Sequence, residues 1–400
     1  MDSARHKRSL VIIWITIFID LMGITLIIPF INDLVADLGG DEQIVGLLLA
    51  SYAAMQLIFA PLWGRISDRI GRRPVIIIGL ATSTVAFTIF GLATHIWLLF
   101  ASRMLAGFAN ANISTAQAYV ADITPPAERA GRMGLVGAAF NLGFIVGFPI
   151  GGIMSTLYGN AAPAYFAAAL SAVNFVAALF ILPESRKPDH SAGRLSISPK
   201  AALRVLGSSA ANIGEFWRQP ALGRVLTAFF LFTIAFSVLH VTFVEYGRDI
   251  LRATPQERGF VFMWIGVVGA LTQSLAVKRL VRRMGEDNVI RLGLACMAIG
   301  LASIPYLQTM ALLYAGAFFV AVGNSLVTPA VTAVISMRSD EREQGVAMGV
   351  TQSTGSLGRI LGPPFGGVTY ARIGYRFPFL AAAAMALLSL LLYRKIKGEE

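Results

Sequence analysis

Twelve apolar runs, each about 20 residues long and therefore able to cross a bilayer, make up most of this chain. The runs are continuous and do not alternate with a period of two, which indicates transmembrane helices rather than a barrel. Hydrophobic residues account for 56% of the chain and charged residues for 14%, too apolar a balance for a soluble core. The predicted spans are Leu10–Phe30, Ile44–Trp63, Val75–Ala93, Ile96–Val120, Met133–Tyr158, Pro163–Leu182, Ala221–Val244, Gly259–Val277, Val289–Leu307, Ala311–Ile335, Val346–Tyr370 and Phe377–Tyr393.

One long polar stretch divides the runs six and six. The sequence predicts an N-terminal six-helix bundle over 1–182, a cytoplasmic linker over 183–220 and a C-terminal six-helix bundle over 221–400. The halves also resemble each other, because Leu142–Gly152 recurs as Leu357–Gly367 and Gly71 matches Gly285 in the loop after each second span. We therefore predict an all-α membrane protein of twelve helices in two pseudo-symmetric bundles, with a substrate cavity between them.

Basic residues set the predicted orientation. If the amino terminus is inside, the inner loops hold most of the Lys and Arg, including the predicted loop Lys278–Arg291, whereas the first outer loop is acidic. The positive-inside rule then places both termini in the cytoplasm. The net charge of +11 is explained by these loops and does not indicate nucleic-acid binding. The single cysteine, Cys296, excludes an intrachain disulfide and a cysteine metal cluster.

The loop after the second span, Gly64–Pro74, reads GRISDRIGRRP. Arginines and an aspartate crowded into a short turn are expected to pair, and glycines let helix ends approach closely. The loop resembles the G-x-x-x-D-R-x-G-R-R signature of the major facilitator superfamily. The resemblance implies a cytoplasmic latch in which Asp68 faces the start of the eleventh helix and Arg72 or Arg69 pairs with Asp122. The predicted latch residues are Gly64, Asp68, Arg69, Gly71, Arg72, Arg73 and Asp122.

The fifth span carries small residues at intervals of four. This spacing favours close helix packing, a hinge at the proline, or both. It resembles the G-x-x-x-G-P-x-x-G-G signature of the drug/proton antiporters in that superfamily, except that Phe148 occupies the usual proline position. The predicted packing or hinge residues are Gly143, Gly147, Pro149, Gly151 and Gly152, with Gly362 and Pro363 in the second copy.

The first, second and fourth spans are most similar to those of the tetracycline-exporter branch, as in Phe18–Pro29, Leu47–Pro74 and Ser102–Asn112. That branch carries an acid in its third helix and another in its ninth. Ala86 and Met297 occupy these positions here. The departure predicts that a metal–tetracycline complex is not the substrate.

Polar residues inside the spans are the remaining functional signal, since an intramembrane carboxylate is costly and is functional by default. Asp20 lies near the middle of the first span, and we predict that it carries the proton under the control of Arg103 in the fourth span. Glu245 is predicted to be a solvated charge at the outer rim. The predicted substrate-cavity residues are Asn110, Ser114, Gln117, Asn141, His240 and Asn324, although Asn141 and Asn324 are also consistent with interhelical hydrogen bonds.

The sequence thus predicts a secondary active transporter of the inner membrane, a proton-coupled exporter of lipophilic drugs or related small molecules. The alternative is a metabolite or organic-anion transporter of the same fold, in which Arg103 and Arg359 hold an anionic substrate. The four scattered histidines argue against an enzyme, and a receptor or scaffold would leave Asp20 unexplained. No cofactor or metal ion is expected. The predicted partners are a small-molecule substrate, protons and membrane lipid, and the protein is expected to be a monomer.

Overall fold

The computed structural model describes residues 3–125, 129–185, 213–339 and 344–394, and every regular element in these ranges is helical. A π-helical turn, Thr272–Ala276, precedes the helix Val277–Ser303, and a 3₁₀ turn, Ile304–Tyr306, follows that helix. The helices are α1 (Ser3–Ile27), α2 (Ile31–Asp37), α3 (Glu42–Ile70), α4 (Arg72–Gly91), α5 (Ile96–Asn110), α6 (Ile113–Asp122), α7 (Arg129–Tyr158), α8 (Ala162–Ile181), α9 (Pro220–Asp249), α10 (Pro255–Leu271), α11 (Val277–Ser303), α12 (Met310–Arg338), α13 (Gln344–Ile373) and α14 (Arg376–Arg394).

The helices account for the predicted spans. Within the described ranges, eight helical stretches are long and apolar enough to cross a membrane, or nine if the bent pair Val11–Ile27 and Ile31–Asp37 is one span. One of the eight, Pro255–Tyr306, has 52 residues, which is about 78 Å of helix and covers two predicted spans. The fourth predicted span corresponds to α5 and α6 together, and the eleventh to the 30-residue α13. The all-helical prediction is confirmed, and the twelve-span count is compatible with these lengths.

Two predicted boundaries differ from the structure. The first span ends at Ile27 rather than Phe30, because Pro29 cannot donate the next helical hydrogen bond, and the chain bends by 50° into α2. The prediction of a loop over Lys278–Arg291 is wrong for most of that range. Residues on both sides of Gly285 are helical, and the break is confined to that glycine, whose φ of 76° favours a residue without a side chain.

The first compact unit contains Met1–Leu34 and Ser51–Leu206. Within it α1 packs against α7 and α8, and α4 packs against α5 and α8. The contact between α1 and α7 depends on glycine, because a Cβ atom at Gly143 would lie 2.9 Å from Cβ of Leu21. A Cβ at Gly147 or Gly151 would overlap Thr25 or the Leu26 backbone. The predicted close packing of the fifth span is therefore present in this unit.

The second compact unit contains Val35–Ala50 and Gly207–Glu400, so the start of α3 packs with the later part of the chain. Within it α9 packs against α13 and α14, and α11 packs against α12 and α14. Gly358 and Gly362 of α13 lie against Thr233 and Ser237 of α9, where added Cβ atoms would approach to 2.7 and 2.6 Å. This contact repeats that of α7 with α1, as the duplicated sequence predicts. The domain boundaries at 182 and 221 stay a prediction.

Candidate functional site

Asp20 is a buried acid on α1. Its residue is 3% exposed, and among the described residues it has neither a hydrogen bond nor an ion pair. Transferring an ionised carboxylate from water into such surroundings, with no partner, costs about several kcal/mol. An unpaired carboxyl buried inside a span is a candidate functional group.

Arg103 is a buried base on α5. Its guanidinium carbon lies 4.6 Å from the centre of the Phe90 ring and 5.9 Å from that of Phe87. One terminal nitrogen is 3.4 Å from Oγ of Ser102, while Nε has no hydrogen-bond partner among the described residues. Aromatic faces offset part of the cost of burying a guanidinium, by about 2 kcal/mol when desolvated, but they do not replace a carboxylate. Arg103 thus retains capacity to bind an anion.

The structure does not pair Asp20 with Arg103 directly, since no ion pair joins them within the described part of the chain. The ring of Phe87 lies against Gly23, three residues after Asp20 on α1, and beside Arg103. Its outer carbon atoms occupy the position where Gly23 of α1 lacks a side chain, and its face is turned to the guanidinium. The predicted control of Asp20 by Arg103 therefore requires the two groups to approach each other from this arrangement.

A polar stripe runs along the fourth span and is only partly available to a ligand; its members recur at helical spacing and are Arg103, Gly107, Asn110, Ser114 and Gln117. Asn110 is buried and donates to the carbonyl of Ala106 at 3.3 Å, and its own Oδ1 has no partner among the described residues. Gly107 serves close packing, because a Cβ there would overlap the backbone of Tyr52. Ser114 is exposed and Gln117 half-buried, so the stripe changes from buried to accessible along α6.

The other predicted cavity residues lie on separate helices. Asn141 is half-buried on α7 in the first unit, and Asn324 is half-buried on α12 in the second. His240 lies on α9, with its ring 5.5 Å from that of Phe236 and its Nδ1 3.2 Å from the carbonyl of Ser237. The role of these residues in a cavity stays a prediction.

Arg72 is the centre of the predicted latch. Its Nη2 lies 2.7 Å from Oδ1 of Asp68, its Nε lies 3.1 Å from Oδ2 of Asp122, and its Nη1 donates to Ser67. Of the two candidates, Arg72 is therefore the arginine that pairs with Asp122, and Arg69 lies in the last turn of α3. The buried guanidinium and its pairs with two more exposed acids join α3, α4 and α6.

The predicted latch glycines differ in their surroundings. Gly71 has φ of 101°, and a Cβ there would overlap the carboxylate of Glu184, so this position requires glycine. Gly64 has open space around it. Arg73 reaches the carbonyl of Leu179 at 2.7 Å and so ties the start of α4 to the end of α8. The predicted approach of Asp68 to the eleventh helix stays a prediction.

Glu184 is a member of this network that the sequence did not identify. Its carboxylate accepts the backbone N–H groups of Arg72 at 2.8 Å and Arg73 at 3.2 Å, the first residues of α4. These amides have no partner within the helix, and a carboxylate there also interacts favourably with the helix dipole.

We expect Glu184→Ala to lower the free energy of unfolding by about 1 kcal/mol, the usual effect of losing a helix cap. Glu184→Gln should have a smaller effect, because the amide oxygen still accepts while the charge is lost. Thermal unfolding of the detergent-solubilised protein measures both. An unchanged midpoint for Glu184→Ala would show that the amides are satisfied without this carboxylate.

A second charge network surrounds Arg248 at the end of α9. Its Nη2 lies 2.6 Å from Oε2 of Glu245 and 3.5 Å from Oε1 of Glu42, and its Nε lies 2.9 Å from Oδ1 of Asp249. Glu245 is 1% exposed, so the prediction of a solvated charge at the rim is wrong. The position of Glu245 along α9 indicates only its depth in the membrane. Its burial depends on Arg248 and on the start of α3, which is distant in sequence.

The second unit also contains a charge pair beside the glycine that matches Gly71. Arg338 at the end of α12 lies 3.7 Å from Asp287, which follows Gly285 by two residues, and Tyr393 donates to the same carboxylate. Arg359, for which the sequence offered no firm role, lies on α13 with a terminal nitrogen 3.0 Å from Oγ of Ser356.

Comparison with known proteins extends these observations. The family model of the Major Facilitator Superfamily matches residues 13–271 and 242–400. The tetracycline resistance protein of class E from Escherichia coli is 32% identical over 89% of this chain and 86% of its own length. Multidrug resistance protein 2 from Bacillus subtilis (strain 168) is 31% identical over 96% of this chain and 94% of its own.

Solved structures share the fold at lower identity. The crystal structure of the human organic anion transporter MFSD10 (TETRAN) is 23% identical with a TM-score of 0.73, covering 98% of this chain and all of that one. A bacterial homolog of the human lysosomal transporter Spinster is 13% identical with a TM-score of 0.79, covering 99% of this chain and 98% of that one. At these identities the likeness is one of fold.

Proposed function

Because this chain belongs to the major facilitator superfamily, we propose that it is a secondary active transporter that exports lipophilic drugs or related small molecules in exchange for protons. The observation that carries the proposal is the similarity, over nearly the whole chain, to tetracycline and multidrug resistance proteins. In such a transporter the two halves alternate in exposing a substrate site to the two sides of the membrane.

The buried acid supports the coupling to protons. Asp20 is the polar group that the fold buries without a partner among the described residues of α1, and a carboxyl in that position binds a proton when water reaches it from one side. Arg103, also buried, can favour release of the proton when it approaches. We therefore assign proton coupling to Asp20 and its control to Arg103.

Two positions argue against a substrate shared with the tetracycline exporters. Ala86 on α4 and Met297 on α11 are fully buried and apolar where that branch carries acids. A metal–tetracycline complex is cationic at its metal and would be held by carboxylates. We propose instead a substrate that is apolar and does not require a metal.

Transport into liposomes tests the function. Purified protein is reconstituted, a pH gradient is imposed, and movement of a panel of lipophilic cations, neutral compounds, organic anions and Mg²⁺–tetracycline is measured. Gradient-dependent movement of the lipophilic compounds supports the proposal. Movement of none of the lipophilic compounds under any gradient would overturn it.

An organic-anion transporter is the second candidate, and one observation favours it. Nε of buried Arg103 has no partner among the described residues, so a substrate carboxylate could satisfy it. In the same liposome panel, selective transport of organic anions that is lost in Arg103→Gln would favour this candidate over drug export.

We propose that the protein lies in the inner membrane with both termini in the cytoplasm, and that the transporting unit is a monomer. The orientation rests on the distribution of charge. Lys and Arg are concentrated in the segments assigned to the inside, whereas the first outer loop is acidic, with Asp33, Asp37, Asp41 and Glu42.

We expect Asp68→Asn to slow transport about fivefold without preventing insertion or folding, because the latch sets the balance between conformations. Asp68 is the more exposed partner, and Asp122 still pairs with Arg72 in the variant, so the stability change should stay below about 1 kcal/mol. Transport rate and unfolding temperature are measured on the same reconstituted protein. Wild-type transport by Asp68→Asn would exclude the latch role.

A further inference from the structure

Phe87 packs against the helix that carries Asp20 and against the side chain of Arg103. It lies on α4 with 1% of its surface exposed. The Cζ and Cε atoms at the end of its ring are the nearest atoms to the site of the missing Gly23 side chain on α1. Gly23 follows Asp20 by three residues, so the two are neighbours on one face of the helix.

The other contact of the ring is with Arg103. The guanidinium carbon lies 5.9 Å from the ring centre, and Phe90, one turn further along α4, holds the same group at 4.6 Å. The α5 backbone is fixed beside these rings because Ser102 donates to the carbonyl of Ala86 at 2.8 Å. The guanidinium is therefore held on aromatic faces of α4 while its Nε has no partner among the described residues.

Other ionisable groups do not substitute for this contact. The ionisable residues of α7 and α8, which pack against α1, lie towards the ends of these helices: Arg129, Arg132 and Tyr158 on α7 and Tyr165 on α8. On α6, Tyr119 donates to the carbonyl of Pro183 and Asp122 pairs with Arg72. The ionisable side chains of α4 are Arg72 and Arg73, at its opposite end from Phe87, and Tyr52 of α3 lies beside Arg103.

A buried acid and a buried base that attract each other would lower the free energy of both by pairing. In this conformation they remain apart, and Phe87 contacts both the helix of the acid and the side chain of the base. We propose that Phe87 is a positioning residue, a spacer that keeps Arg103 away from Asp20 until its ring moves. The inference rests on the proposed coupling role of Asp20.

The test is an infrared titration of the full-length protein in lipid nanodiscs. The C=O stretching band of the protonated Asp20 carboxyl is assigned by its absence in Asp20→Asn. Phe87→Leu keeps an apolar side chain but removes the aromatic face and shortens the spacer. Arg103 then approaches Asp20, the charged carboxylate is favoured, and the midpoint of the band should move to lower pH by about one unit or more.

Three variants separate the spacer from a purely structural role. Adding Arg103→Gln to Phe87→Leu should restore the wild-type midpoint, which general loosening of the packing would not do. Phe180→Leu, the same change at a side chain that is 85% exposed on α8, should leave the midpoint unchanged. Phe87→Met is a second test of the same position if Phe87→Leu does not fold.

The outcomes distinguish the two proposals. An unchanged midpoint in folded Phe87→Leu or Phe87→Met overturns the spacer, as does a shift that Arg103→Gln fails to reverse. If the wild-type protein has no titrating band that Asp20→Asn removes, the coupling role of Asp20 is itself wrong.

Discussion

Replacing Asp20 with asparagine is expected to reduce export against a gradient at least about 100-fold while changing substrate affinity by less than about twofold. Asparagine has nearly the size of aspartate but cannot bind and release a proton, so the substitution removes the titrating group and leaves the packing of α1 intact. A coupled exporter without its proton carrier equilibrates its substrate at best, because the pH gradient no longer drives the cycle.

The measurement is substrate accumulation in liposomes with an imposed pH gradient, together with equilibrium binding to the purified variant. Asp41→Asn provides a matched control. Asp41 is exposed and caps α3 by accepting the N–H of Ile44 at 3.0 Å, a role that asparagine fills equally well. Wild-type accumulation by Asp20→Asn would place the proton elsewhere, with His240 and Glu245 the next groups to examine.

Most of the fold follows from the apolar runs, because each run must be helical to satisfy its backbone within a bilayer. The small-residue contact between α1 and α7 could also be predicted, since glycines at Gly143, Gly147 and Gly151 share one helix face. What the pattern could not give was the detail at helix ends. Gly285 confines a predicted loop to a single residue because glycine alone adopts its backbone angles without strain.

Residues that act through distant contacts were harder to predict. Glu184 contacts Arg72 and Arg73 across more than 100 residues of sequence, and no local spacing connects them. Glu245 was predicted to be solvated from its depth along α9 alone. The sequence does not show that Glu42 and Arg248 approach it. Phe87 lies in an apolar run where one phenylalanine resembles any other. Its importance appears only beside Gly23 and Arg103.

The two halves preserve geometry better than charge. Gly71 and Gly285 occupy matching positions, and both have positive φ, so the turn after the second span of each half is kept. An ion pair lies beside each turn with its signs exchanged, at positions one residue apart in the repeat, since Arg72 follows Gly71 directly whereas Asp287 follows Gly285 by two residues. In the first unit a basic residue, Arg72, pairs with an acid at the end of α6, whereas in the second an acid, Asp287, pairs with Arg338 at the end of α12. The attraction between two opposite charges is the same whichever helix carries the acid. The two halves therefore share an ion pair beside the turn, but not the assignment of acid and base to its two sides.

Replacing Gly151 with leucine is expected to destabilise the protein by about 3 kcal/mol or to prevent folding, the upper range for an overpacked core. Even a Cβ atom at this position would overlap the backbone carbonyl of Leu26 on α1, and backbone cannot move aside as the end of a flexible side chain can. The two helices would have to separate along the contact that Gly143 and Gly147 also form, with loss of the packing that holds α1 in the first unit.

Gly349→Leu provides the matched control, since Gly349 is exposed on α13 and has nothing within 4 Å of an added Cβ. Removing a helical glycine there should leave stability unchanged or raise it by up to about 1 kcal/mol. Thermal unfolding followed by tryptophan fluorescence, with transport measured on the same samples, decides between packing and hinge. If Gly151→Leu unfolds earlier, the glycine serves close packing. If it keeps the wild-type unfolding temperature and loses transport, the requirement for glycine lies in motion of α7, and the packing account of this contact is wrong.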